Sequence, residues 1–85
     1  MYSGDMEYVI FKCDEKILDQ MIDIFGNDAN IDYINDNEFT IRVKTSKTGA
    51  LYLAQQFMEY IEIVEPTELR DEFRQHLKNA VKKYR

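Results

Sequence analysis

The chain has 85 residues, 45% of them hydrophobic, and a formal net charge of -5. That length suits one small domain, 1–85, with one core, and the acidic balance argues against a binder of phosphate backbones. The single cysteine, Cys13, excludes an internal disulfide and fits a reducing cytosol; no apolar run approaches a membrane span, and the N-terminus lacks the basic-then-apolar layout of a signal peptide.

Met1 to Asp5 is polar and reads as loose, and so abrupt a start suits a domain cut from a longer protein. Met6 to Cys13 predicts a central strand. Val9, Phe11 and Cys13 fall on one face, and Met6, Tyr8 and Ile10 on the other, so both alternating sets carry apolar residues. Asp14 suits a helix N-cap. Ile17, Leu18, Met21, Ile22 and Phe25 recur at helical spacing and Gly26 supplies a left-handed stop, which predicts a helix over Glu15 to Phe25. Ile31 to Ile34 reads as a short strand, and Asp36-Asn37 as a tight turn. Phe39, Ile41 and Val43 alternate with Thr40, Arg42 and Lys44 in a half-buried strand that closes a hairpin.

Ser46 is the expected cap of a second helix with a broad apolar stripe: Ala50, Leu51, Leu53, Ala54, Phe57 and Met58. Gly49 in its first turn permits close contact at a cost in helix propensity. Tyr60 to Val64 predicts a fourth strand. Pro66 fits the first position of a third helix, and Glu68, Asp71 and Glu72 suit its positive end. Leu69, Phe73, Leu77, Ala80, Val81 and Tyr84 line one side of that helix. Lys78 to Arg85 is locally basic, which suits the negative end of the helix.

The order β-α-β-β-α-β-α predicts an α+β fold of the split β-α-β, or ferredoxin-like, type: a four-stranded antiparallel sheet in the order 4-1-3-2 with an extra C-terminal helix. The first two helices then cover the face of Val9, Phe11, Phe39, Ile41, Val43, Ile61 and Ile63. The other face collects Tyr8, Ile10, Lys12, Thr40, Arg42, Lys44, Tyr60 and Glu62. Tyr8, Ile10, Arg42, Lys44 and Tyr60 form the candidate partner or ligand surface, set against a plain solvated face. The third helix has three possible seats: this sheet face, the first two helices, or a neighbouring protomer.

Tests for chemistry return little. Asp28, Asn30 and Asp32 imitate the start of a calcium loop, but Tyr33 replaces its glycine and Phe39 its closing glutamate. Cys13 beside Asp14 reads as an inert, buried thiol. His76 lies at the edge of a helical stripe with no nucleophile in a recognisable pattern. Gly4, Gly26 and Gly49 are isolated, so no phosphate-cradling loop forms. Arg42 and Lys44 suit an anion, or a salt bridge to Glu62 or Asp32. No catalytic residue, cofactor or metal ligand is assigned, and the chain does not read as an enzyme.

The most specific run is Ile61-Glu62-Ile63-Val64-Glu65-Pro66-Thr67-Glu68-Leu69-Arg70. With Ala50, Leu53 and Phe57 before it, Tyr84 after it, and Val43-Lys44-Thr45-Ser46 upstream, it resembles the C-terminal extension (WCX) domain of bacterial helix-turn-helix transcriptional regulators that carry a WYL domain. Met58 stands where a glycine is common in that family, and Leu53 where a tryptophan is common. The resemblance implies a non-catalytic regulatory and oligomerisation module that couples effector sensing to DNA binding elsewhere in a parent protein. The implied partners are the WYL and helix-turn-helix domains of that parent and a second copy in a homodimer. It implies a cytoplasmic setting, with no direct nucleic-acid or membrane contact. The alternative on the same fold is a small-molecule effector-binding domain, with a pocket near Arg42, Tyr8 and Tyr60.

Overall fold

The computed structural model describes residues 6–84; the expectation for Met1 to Asp5 lies outside them, as does Arg85. Strand β1 spans Glu7–Asp14, followed by a single 3-10 turn at Glu15–Ile17 and helix α1 at Leu18–Phe25. Strands β2 (Asn30–Tyr33) and β3 (Glu38–Thr45) form the hairpin. Helix α2 spans Lys47–Gln56, strand β4 Ile61–Glu65 and helix α3 Thr67–Lys82.

The four strands are all antiparallel and lie in the order β2-β3-β1-β4. This is the ferredoxin-like arrangement with its extra C-terminal helix. The expected sheet order holds because each crossover carries a helix back over the same face. Val9, Phe11 and Cys13 of β1, Phe39, Ile41 and Val43 of β3, and Ile61 and Ile63 of β4 are all buried. They join Ile17, Met21, Ala50, Leu53, Ala54 and Leu69 from the helical layer in one core.

Boundaries move for local reasons. Strand β1 begins at Glu7 and not Met6, because pairing starts with Glu7 opposite Thr45. The first turn after it is 3-10 and not α, since the Asp14 carboxylate accepts from Lys16 N–H at 2.9 Å and tightens the entry. Gly26 ends α1 at φ 60° and ψ -136°, outside the left-handed helical well and open only to a residue without Cβ. Ser46 caps α2 as expected, its Oγ accepting from Gly49 N–H at 3.0 Å. A Cβ on Gly49 would lie 2.9 Å from Thr45 Oγ1 and 3.1 Å from that same Ser46 Oγ, so the cap needs a glycine here.

Pro66 does not occupy the first helical position. It sits one residue earlier, extended at φ -73° and ψ 157°, and its carbonyl accepts from the N–H groups of Leu69 and Arg70. Within the chain, helix α3 packs against β4 and α2, so it rests on one edge strand of the sheet and on one of the first two helices. Only Leu69 is fully buried there; Phe73 packs partly against the core. Lys47 of α2 and Glu72 of α3 meet at 2.6 Å across the helical layer. Their hydrogen bond and opposite charges push the Lys47 ammonium pKa up from its ordinary value.

Candidate functional site

The open face of the sheet is built by cross-strand register. Tyr8 lies opposite Lys44, and Ile10 opposite Arg42, whose other neighbour is Asn30. Arg42 is therefore diagonal to Tyr8 on one face, within reach of a long side chain. Its guanidinium carbon stands 4.4 Å from the Tyr8 ring centroid, and Lys44 Nζ stands 5.8 Å from it. Two cations thus stand near one aromatic ring. Tyr8 and Arg42 are exposed, Ile10 half-buried, so the cluster is accessible from solvent.

Tyr60 does not join this cluster. Its carbonyl accepts from Asp14 N–H, which puts it at the far end of β1 from Tyr8. Six residues along a strand correspond to about 20 Å. Its ring instead receives Lys16 Nζ at 5.8 Å. A pocket shared by Tyr8, Arg42 and Tyr60 is therefore ruled out by register. Nor do Arg42 and Lys44 pair with Glu62 or Asp32. Glu62 takes Arg70 at 2.6 Å, and Lys12 takes Glu38 at 3.4 Å. A shallow depression of about 460 Å³ adjoins Arg42, lined by Ile10, Asn30, Ile31, Asp32 and Thr40.

A second surface involves the third helix, in a form the sequence did not specify. Between α2 and α3 runs a groove of about 460 Å³, with Leu51, Tyr52, Met58, Phe73, Leu77 and Ala80 among its walls. It opens because α3 meets the core through its first turns and then runs on without it. Tyr52 and Met58 are exposed, Tyr84 is 90% exposed and Val81 58%. The readable signal was the length of the apolar stripe on α3, longer than a four-stranded sheet's edge can cover.

The remaining candidates are placed as follows. Cys13 is 1% exposed, and burial pushes its thiol up to about 12. Desolvation, rather than the neighbouring Asp14, is what keeps it protonated. His76 is exposed on the groove wall, 3.9 Å from Glu72 Oε2. Among the described residues, no group of three or more His, Cys, Asp or Glu is placed to hold a metal ion. No helix among the described residues is long and apolar enough to cross a membrane.

Arg70, named in the sequence as part of a motif, proves to be a fastener. Its Nη1 donates to Glu62 Oε2 at 2.6 Å and to the Ile63 carbonyl at 2.9 Å. Both partners lie on edge strand β4, so α3 is tied to a strand that would otherwise present free backbone groups.

Fold and surface together define a ferredoxin-like α+β domain with one open sheet face and one helical groove. No family model matches the chain, and comparison with curated proteins and with solved structures likewise finds no significant match.

Proposed function

We propose that this chain is a non-catalytic contact module of the WCX kind, acting in the cytoplasm as part of a WYL-domain transcriptional regulator. The observation that carries the reading is the work done by the Ile61–Arg70 run. Ile61, Ile63 and Leu69 enter the core, the Pro66 carbonyl starts α3, and Arg70 ties α3 to β4. Ile61, Ile63, Pro66, Leu69 and Arg70, five of the residues that carry the resemblance, thus join the added helix to the sheet. The same joint holds out the groove between α2 and α3, an apolar surface of the sort through which neighbouring domains touch. In this reading the module binds its parent's WYL domain, contributes to a homodimer, and passes effector binding towards the DNA-reading end. Such coupling needs two states that the module contacts differently. It performs no reaction, needs no cofactor, and touches neither nucleic acid nor membrane itself.

The test is calorimetric titration of this chain with the separately expressed WYL domain of its parent. Saturable binding is expected, weakened by Tyr52→Asp or Ala80→Asp on the groove wall, both at exposed positions. Absence of heat at all concentrations up to about 0.5 mM, well above the micromolar range of ordinary domain contacts, overturns the reading.

A second reading rests on the Tyr8–Arg42–Lys44 cluster: an effector site for a small anion on the open sheet face. A melting-temperature rise with nucleotides or carboxylates, lost in Arg42→Ala, would favour it over the first.

A further inference from the structure

Helices α1 and α3 carry the same pattern with every charge reversed. Leading into and along α1 run Glu15-x-x-Leu18-Asp19-x-x-Ile22-Asp23; along α3 run Arg74-x-x-Leu77-Lys78-x-x-Val81-Lys82. The aliphatic residues match in burial as well as in spacing. Leu18 and Leu77 are half-buried, while Ile22 and Val81 are 43% and 58% exposed. All the charged residues of both patterns are exposed. Among the described residues, none of them has an oppositely charged partner within 4.0 Å, although other acids and bases of the chain do pair. On α3 the cations frame a trough of about 490 Å³ lined by Arg74, Leu77, Lys78, Val81 and Lys82.

In both patterns each charge follows an aliphatic residue by one position or precedes one by three. On a helix that puts the charged row on the same hand of the aliphatic row. When two such helices pack antiparallel, rows of the same hand meet. Asp23, Asp19 and Glu15 of one copy would then face Arg74, Lys78 and Lys82 of the other, in that order, while Leu18 and Ile22 lie along Leu77 and Val81. Flanking charges of this kind set partner choice and orientation between helices.

We propose that the occupant of the α3 trough is α1 of a second copy of this chain, packed antiparallel and matched by these two charge rows. This rests on the reading of the chain as a contact module and names one of its partners. A twofold pair makes the contact twice, α1 to α3 and α3 to α1, which is the usual closure for a homodimer. Ordinary salt screens the charge rows, so association weakens as ionic strength rises.

The test is sedimentation equilibrium of the whole chain and two double variants, Asp19→Lys with Asp23→Lys, and Lys78→Glu with Lys82→Glu. The substituted positions are exposed, and circular dichroism with a cooperative melt verifies that each variant folds. Self-association of the natural sequence is expected, and each variant alone should lose it by at least about tenfold. An equimolar mixture of the two variants should recover it, because both contacts of the mixed pair regain opposite charges. A natural chain that stays monomeric at about 1 mM, variants that associate undiminished, or a mixture that fails to recover would each overturn the proposal. So would co-flotation of the chain with phosphatidylserine vesicles through Lys78 and Lys82, which would assign the trough to a membrane surface. The titration with the WYL domain is read separately. If that domain binds while the chain stays monomeric, the contact-module reading stands and this one falls.

Discussion

Burial decides the chemistry of Cys13. Its thiol lies between the sheet and the helical layer, where a thiolate has no water and no cation to stabilise it. The folded thiol stays protonated to about pH 12, whereas the unfolded chain releases the proton near the ordinary value of 9.0. A group whose folded pKa is raised contributes its full share below the unfolded pKa and loses it above. Stability should therefore fall by up to about 1.4 kcal/mol per pH unit above pH 9. Urea unfolding at several pH values measures this. The difference between the natural chain and Cys13→Ala should be constant below pH 9 and shrink above it. A pH-independent difference would mean that the thiol ionises equally in both states.

At the scale of elements, α3 is two helices in one. Its first turns belong to the fold: Leu69 is in the core, and Arg70 bonds the Ile63 carbonyl of β4. Its last turns are exposed from Lys78 onward. Leu69→Ala should then cost about 2–5 kcal/mol, the range for a leucine removed from a packed core. Val81→Ser, measured at concentrations too dilute for self-association, should change stability by no more than about 0.5 kcal/mol, as surface substitutions do. Chemical denaturation of the two variants makes the comparison. Equal losses would mean that α3 is seated along its whole length. The two ends of the sheet differ in the same way. Edge strand β4 is covered by α3 and carries a register shift opposite Ile10 and Phe11, whereas edge strand β2 is only Asn30–Tyr33 and ends at a polar turn. Covering and shortening are both means of keeping an edge from pairing with another chain.

For the whole molecule, the two faces of one sheet have opposite duties. Phe11→Ala should cost about 3–5 kcal/mol, because the ring is fully buried against the helical layer. Tyr8, three residues earlier on the same strand, is more than half exposed. Tyr8→Ala should cost no more than about 1 kcal/mol, the worth of an exposed cation–ring contact with Arg42. Thermal melts of the two variants test the asymmetry, and a Tyr8 variant as damaged as the Phe11 one would place both faces in the core. The strand alternation, the caps at Asp14 and Ser46, the stop at Gly26 and the sheet order were legible without coordinates. Each depends on neighbours within a few residues or on the handedness of crossovers. The 3-10 turn after Asp14 and the placing of Pro66 ahead of α3 were not legible. They turn on which of two competing hydrogen-bond partners a terminal N–H takes, and composition alone does not rank those.

Register, which no local pattern encodes, separated Tyr60 from Tyr8 and Arg42 and so dissolved one candidate pocket while leaving the Tyr8–Arg42–Lys44 cluster intact. The same holds for α3. Its amphipathic stripe was plain in the order of residues, yet the division into a seated half and a projecting half depends on how far β4 and α2 extend in space. Local sequence therefore determined which elements form and which faces are apolar, because those follow from backbone periodicity and caps. Tertiary structure alone decided which apolar and charged surfaces remain uncovered, because that depends on distances between residues far apart in the chain.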